Sequence, residues 1–333
     1  YEMQRSLVGS EMCIRDRPMG GQTECYYGIL EDGKTAVMEM AQAAGITLVA
    51  ENERNPMQAS TYGVGEMIRD AVHRGCRYFT MGIGGSATND GGIGMLSALG
   101  FRFLDSEGRP VCGGASGLSR IVSVRADEVL PELAECKFQI ACDVRNPLCG
   151  ENGATYIYGL QKGLPHELCG EVDKGMMHYA EVAETFCGRT CKDIPGAGAA
   201  GGLGFAFLAF LNGILVPGVE LVLETIHLEQ EIKNAHLVVT GEGKLDAQTV
   251  MGKAPVGVAK IAKQYGCKVL AFAGEVADEA EKCNEAGIDA YFPIVRGVTS
   301  IEDAMKPENA ERNMADAVEQ VFRMIALFHS GMR

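Results

Sequence analysis

The sequence predicts an α/β protein whose parallel sheet is covered by helices. Three observations carry that prediction. The C-terminal third alternates between short apolar strands at 236–240, 268–273 and 290–294 and helical segments at 255–265, 275–286 and 309–329. Earlier, Val64, Met67, Ile68, Ala71 and Val72 recur at helical spacing, marking one face of a helix within 60–75. A strand at 78–81 then runs directly into the glycine-rich stretch MGIGGSATNDGGIG (81–94) and a helix from Ile93.

Taken in order, residues 1–20 show neither a helical period nor the apolar core of a signal peptide. They read as a foreign leader, expected to be disordered and set aside from the fold. Residues 26–30 and 35–40, joined across Asp32-Gly33, have the alternation and turn of a β-hairpin. The helix begun at Ile93 ends near Gly100. Strands are expected at 138–142 and 154–158, a long helix at 168–186, and an apolar helix through Leu211 after the glycine-rich 195–204. Pro255 suits the first turn of its helix, where a missing N–H costs nothing.

Composition narrows the function. A net charge of −14 over 333 residues argues against nucleic acid and against an anionic membrane surface, both of which need a basic face. No apolar run reaches the roughly 18–20 residues of a membrane span. Twelve scattered cysteines without a C-x-x-C suit reduced thiols in a cytoplasm, and no histidine has a partner at metal-ligand spacing. The chain has no G-x-S-x-G elbow for acyl transfer.

Two loops carry the candidate chemistry. In 81–94, six glycines let backbone N–H groups approach a ligand, and the following helix N-terminus favours an anion. Gly84, Gly85, Ser86, Thr88 and Asn89 are the candidate binding residues there, with Asp90 adding a carboxylate to the same loop. After the strand at 236–240, TGEGKLDAQT places Glu242 and Asp246 to hold magnesium or take a proton, and Lys244 and Lys253 to neutralise phosphate. Asp143 and Asn146, at a strand end before Pro147, form a third polar cluster, and Gly198, Gly201 and Gly202 form a second, weaker glycine segment. Such an inventory suits phosphoryl transfer, which rests on positioning and charge neutralisation. A nucleotide- or carboxylate-binding protein without catalysis is the alternative. A nicotinamide-dependent oxidoreductase would need a G-x-G-x-x-G turn directly after a strand, and the match at 196–201 has no clear strand before it.

GIGGSATNDGG (82–92), ACDVRNPLCG (141–150), YGLQKG (158–163), PGAGAAGGLGFA (195–206) and VVTGEGKLDAQTVMGKAPVGVA (238–259) occur in that order. From about Tyr26 onward the chain strongly resembles the bacterial type I glycerate kinases. The resemblance implies ATP- and magnesium-dependent phosphorylation of D-glycerate, to the 2-phosphate rather than the 3-phosphate, in the cytoplasm. It also implies two α/β lobes with the active site between them. One is a Rossmann- or flavodoxin-like parallel-sheet domain built from discontinuous segments, expected at 56–100 and 236–333. The other, inserted, is expected at 21–55 and 101–235. The resemblance leaves a homodimer open, and Asp246 or Asp90 is the expected base, with Glu242 or Asp143 on magnesium. The family's opening A-P-D-S-F-K-G-S loop and later D-G-G-E-G-T segment have no counterpart here. Roughly 65 to 70 residues are therefore expected to be missing, which would expose strand edges and apolar helix faces and leave the chain poorly stable and weakly active.

Overall fold

The computed structural model describes residues 7–111 and 113–330. Their contacts divide the chain into two compact units, Tyr1–Leu221 and Val222–Arg333.

The first unit is built on a six-stranded sheet. Its strands are β1 (Leu7–Asp16), β2 (Gln22–Leu30), β3 (Thr35–Glu39), β4 (Tyr78–Gly82), β7 (Lys137–Ala141) and β8 (Ile214–Val216), in that spatial order. Pairing is antiparallel from β1 to β3 and parallel from β3 to β8. β5 (Arg102–Leu104) and β6 (Ser123–Arg125) form a separate antiparallel ribbon. The β2–β3 hairpin forms where Asp-Gly predicts it: Gly33 has φ +62°, and Asp32 Oδ1 accepts the N–H groups of Lys34 and Thr35, each at 2.8 Å.

Two expectations fail here. The stretch set aside as a leader contains β1, which pairs with β2 along its length. Arg15 lies 3.1 Å from Asp70, and Arg74 lies 2.8 Å from Glu11, so charged side chains also hold β1 against the helix Tyr62–His73. Secondly, β4 lies between β3 and β7. Residues 56–100 therefore share a sheet with the segments around them, and the expected grouping of 56–100 with 236–333 does not hold for the strand pairing.

The helix Tyr62–His73 buries the five apolar residues whose spacing predicts it. Phe79 on β4 stacks on Phe138 on β7 with ring centroids 4.8 Å apart, and Phe207 packs on Phe138 at 5.6 Å. Ala154–Tyr158, expected as a strand, is a short helix that packs against the helix Ala199–Phe210.

The second unit has a three-stranded parallel sheet in the order β11 (Ala290–Pro293), β10 (Lys268–Val276), β9 (Leu237–Leu245). The central strand is buried on both faces. Val269, Ala271 and Ala273 join a core with Val256, Ala259 and Ala262 of the helix Ala254–Gln264. Leu270 and Phe272 join another with Val321 of the helix Pro307–Ser330. This period-two alternation between two covered faces is what a parallel sheet demands. The helix expected at 275–286 is shorter: β10 runs on to Val276, followed by a turn at Asp278–Glu281 and a single turn of helix at Lys282–Glu285.

Among the described residues ten cysteines are free, and most are buried. No described helix is long and apolar enough to cross a membrane.

Candidate functional site

In the first unit, the loop after β4 divides into an open half and a committed half. Gly84 and Gly85 are exposed, and a Cβ added to either would meet nothing within 4 Å. They line a cavity of about 290 Å³ together with Ser86, Asp143, Tyr158 and Lys162. Packing therefore does not require these glycines; an approaching ligand would use the room they leave.

Asp90 belongs to the committed half. Its carboxylate is fully buried and accepts four hydrogen bonds: Thr61 N and Oγ1 at 2.8 Å each, Gly94 N at 3.2 Å and Gly92 N at 3.1 Å. Burial pushes its pKa up, while those bonds favour the charged form. Gly92 is the N-cap of the helix Ile93–Ala98 and Gly94 lies in its first turn. Asp90 itself thus occupies the helix N-terminus that was expected to serve a ligand, and its acceptor positions are spent on three backbone N–H groups and the Thr61 hydroxyl. Thr88 and Asn89 are also buried. Asn89 Nδ2 donates to Thr155 Oγ1 at 3.0 Å, while Thr88 Oγ1 and Asn89 Oδ1 have no hydrogen-bond partner.

The second glycine segment packs against the first. Gly201 and Gly202 have φ of +68° and +93°, and Gly91 N donates to Gly201 O at 2.9 Å. A Cβ on Gly201 would lie 2.1 Å from Thr88 O, and one on Gly202 would lie 2.7 Å from Gly91 Cα. A Cβ on Gly198 would lie 2.2 Å from Pro147 O. These three glycines exist here for backbone-to-backbone approach. Asp143 Oδ1 accepts Gly218 N at 2.8 Å, fixing the start of the helix Gly218–Thr225.

In the second unit, Glu242, Asp246 and Thr249 converge at the carboxyl end of β9. Buried Thr249 Oγ1 hydrogen-bonds Glu242 Oε1 and lies 3.4 Å from Asp246 Oδ1. Asp246 Oδ1 also accepts Gln248 N at 2.9 Å and Thr249 N at 3.1 Å, and Lys253 Nζ is 3.7 Å away. Burial alone would raise the Asp246 pKa, but these donors and the lysine hold it below the usual carboxylate range. Lys244 pairs with Glu275 at 2.7 Å. The carboxyl ends of all three strands also border a cavity of about 700 Å³, lined by Glu242, Gly274, Ile294, Ile301, Met305 and Met314 among others. That is where open parallel sheets take their ligands.

Magnesium needs one or two carboxylates and completes its shell with water and phosphate oxygens. Glu242 and Asp246, flanking one hydroxyl, fit that demand. Asp143 lies in the other unit, bound to backbone. No group of three or more His, Cys, Asp or Glu that could hold a metal on its own exists among the described residues.

Sequence reasoning passed over Thr249, which ties the two carboxylates together, and gave little weight to Lys162. The strand-to-loop position of the first was visible. The burial of the second was not, because it depends on a fold that brings 162 to 86.

The model of the glycerate kinase family matches residues 3–326, which takes in β1. The chain is 43% identical to a glycerate kinase of Haemophilus influenzae, covering 95% of this chain and 84% of that one. It is 46% identical to a glycerate kinase of Halalkalibacterium halodurans, with 93% and 83% covered. Against a glycerate 2-kinase of Escherichia coli identity is 40%, with 95% and 82% covered. A solved structure assigned as glycerate kinase 2 of Salmonella typhimurium superimposes with a TM-score of 0.82 at 36% identity, covering 95% of this chain and 84% of that one.

Proposed function

The chain belongs to the glycerate kinase family, and from that premise we propose that it transfers the γ-phosphoryl group of ATP to the 2-hydroxyl of D-glycerate. The observation that carries the residue assignment is the convergence of Glu242 and Asp246 on the Thr249 hydroxyl beside Lys253. Asp246, ionised at neutral pH, accepts the proton of the glycerate hydroxyl. A weak base suffices, because the transition state of phosphoryl transfer is loose and asks little activation of its nucleophile. Glu242 would hold magnesium, which when bound would neutralise charge on the transferring phosphates. Lys253 and Lys244 exchange their carboxylate partners for phosphate oxygens, and the wide apolar cavity at the strand ends takes the nucleoside.

In the first unit, Gly84, Gly85 and Ser86 bind the acid. Asp90, Gly198, Gly201 and Gly202 shape the loop that presents them, and Asp143 caps a helix. The buried, reduced thiols favour a cytoplasmic enzyme, with a homodimer as the assembly to look for.

A coupled ADP-release assay with D-glycerate, ATP and magnesium tests the reaction, and ³¹P NMR of the product tests the position. ADP release that depends on D-glycerate, with 2-phosphoglycerate as product, is expected. Asp246→Asn should lower kcat by about 10²–10⁴-fold. Turnover within twofold of the parent would remove Asp246 as the base. Glycerate-independent ADP release would remove the reaction itself.

A further inference from the structure

The proposed mechanism leaves one buried cation without a task. Lys162 ends the 3₁₀ turn Leu160–Lys162, and Gly163, at φ +89°, turns the chain away immediately after it. Its side chain is only 2% exposed. The ammonium lies 2.7 Å from Ser86 Oγ and 2.6 Å from the Thr88 carbonyl, so it bridges two points of the loop that Gly84 and Gly85 open. An ammonium carries three donors, and these partners account for two.

Three features separate Lys162 from a structural tether. Burying an ammonium costs several kcal/mol, a cost that a neutral donor joining Ser86 to the Thr88 carbonyl would avoid. The side chain also forms part of the wall of the roughly 290 Å³ cavity that opens at Gly84, Gly85 and Tyr158. In addition, the loop it grips contains two buried acceptors, Thr88 Oγ1 and Asn89 Oδ1, that nothing in the fold satisfies. A cavity whose wall sets Ser86, Tyr158 and a buried cation among apolar side chains is chemically matched to a small hydroxy acid. Its size accommodates a three-carbon acid.

We infer that Lys162 is a substrate-binding residue whose ammonium takes the carboxylate of the acid substrate while its other two bonds lock the glycine loop around it. The inference rests on the phosphoryl-transfer reading above and identifies the group that selects for an acid rather than a neutral polyol. Titration is consistent with it. Burial pulls the Lys162 pKa down to about 7, against the pull of the Asp90 charge. A bound carboxylate would hold the proton on Lys162. The other titratable groups on the cavity wall are Tyr158, Cys142 and Asp143, and burial raises the pKa of the first two.

The test is a steady-state comparison of Lys162→Met and Lys162→Arg with the parent, varying D-glycerate and ATP separately. Lys162→Met should raise the glycerate KM at least about tenfold, as loss of a charged hydrogen bond does. The ATP KM should stay within twofold, and Lys162→Arg should recover part of the loss. A rise in the ATP KM instead would mean that the anion held is a phosphate, and would overturn the assignment to the acid. Unchanged KM values with lowered stability would reduce Lys162 to a tether and overturn it as well.

Should Lys162→Met fail to fold, parent protein carrying ¹³Cε-lysine supplies the second readout, with Lys162→Arg identifying the resonance. D-glycerate should shift that resonance, and neutral glyceramide should not. An equal response to both compounds, or to neither, counts against the inference. If the parent turns over no glycerate even with the family's opening segment supplied, the fault lies in the kinase reading. If it does and the Lys162 measurements fail, the fault lies here alone.

Discussion

Glycines that look alike in the sequence differ sharply once their surroundings are known. Gly84 and Gly201 both sit in glycine-rich loops, yet a methyl group on the first would meet open space and on the second would strike the Thr88 carbonyl at 2.1 Å. Gly201→Ala also forces φ near +68° on an L-residue. It should cost about 2 kcal/mol or more, read from the urea midpoint, whereas Gly84→Ala should change stability by less than about 1 kcal/mol. Equal midpoints would mean that the two glycine segments do not pack as described. Lys162 makes a second residue-scale prediction. Its folded pKa lies at about 7, below that of an unfolded lysine, so between those values the unfolded chain binds more protons. Stability should therefore rise with pH above about 7, by up to ~1.4 kcal/mol per pH unit from this group, and Lys162→Met should lack that component. Denaturation curves of parent and variant taken at about pH 6, 8 and 9.5 check it, since a constant difference between them would contradict the shift.

At the scale of elements, β1 is held by its ladder to β2 and by Asp70, which accepts from Tyr27 Oη at 2.5 Å and Arg74 Nε at 2.9 Å and pairs with Arg15. Burial works to raise the Asp70 pKa, but these partners outweigh it and hold the carboxyl low. Its contribution is present above the ordinary carboxylate range and is lost as pH falls through the lowered folded value. Amide protection factors across Leu7–Asp16, taken relative to intrinsic rates at each pH, should fall below about pH 4, and Asp70→Asn should bring the same fall to neutral pH. Unchanged protection in the variant would show that the ladder alone suffices. The sequence displayed most elements because their periodicity is local: the five-residue face of Tyr62–His73 and the double-faced β10 could be read directly. Ala154–Tyr158 could not. Thr-Tyr-Ile-Tyr has strand propensity, and only its packing on the helix Ala199–Phe210 makes it helical. β1 was hidden for a related reason, since its irregular composition becomes a strand through pairing with β2.

At the scale of the molecule, the order of strands in the large sheet depends on partners far apart in the chain, such as β7 with β8. Local patterns do not carry that information: β3, β4 and β7 read as strands, yet β8 does not, and the expected grouping of 56–100 with 236–333 misses the pairing of β4 with β3 and β7. The candidate site suffered in the same way. Glu242 and Asp246 were legible because one loop holds both, but Lys162 reaches Ser86 across 76 positions. The two units have separate cores, which leads to a further prediction. Phe272→Ala, in the second core, should cost about 3–5 kcal/mol and speed amide exchange in Val222–Arg333. Exchange around Phe79 and Phe138 should be spared. Equal acceleration in both would mean that the chain unfolds as one cooperative body.

The free cysteines carry a practical consequence. Burial lifts the thiols of Cys136 and Cys187 to about 11 and that of Cys149 to about 12. Because oxidants and alkylating agents attack the thiolate, of which such groups hold about one part in ten thousand or less at neutral pH, these sulfurs are chemically quiet. A protein with this many cysteines would ordinarily be handled under reductant. This one should withstand air and mild peroxide with these three sulfurs unmodified, and lose that tolerance only when its cores open.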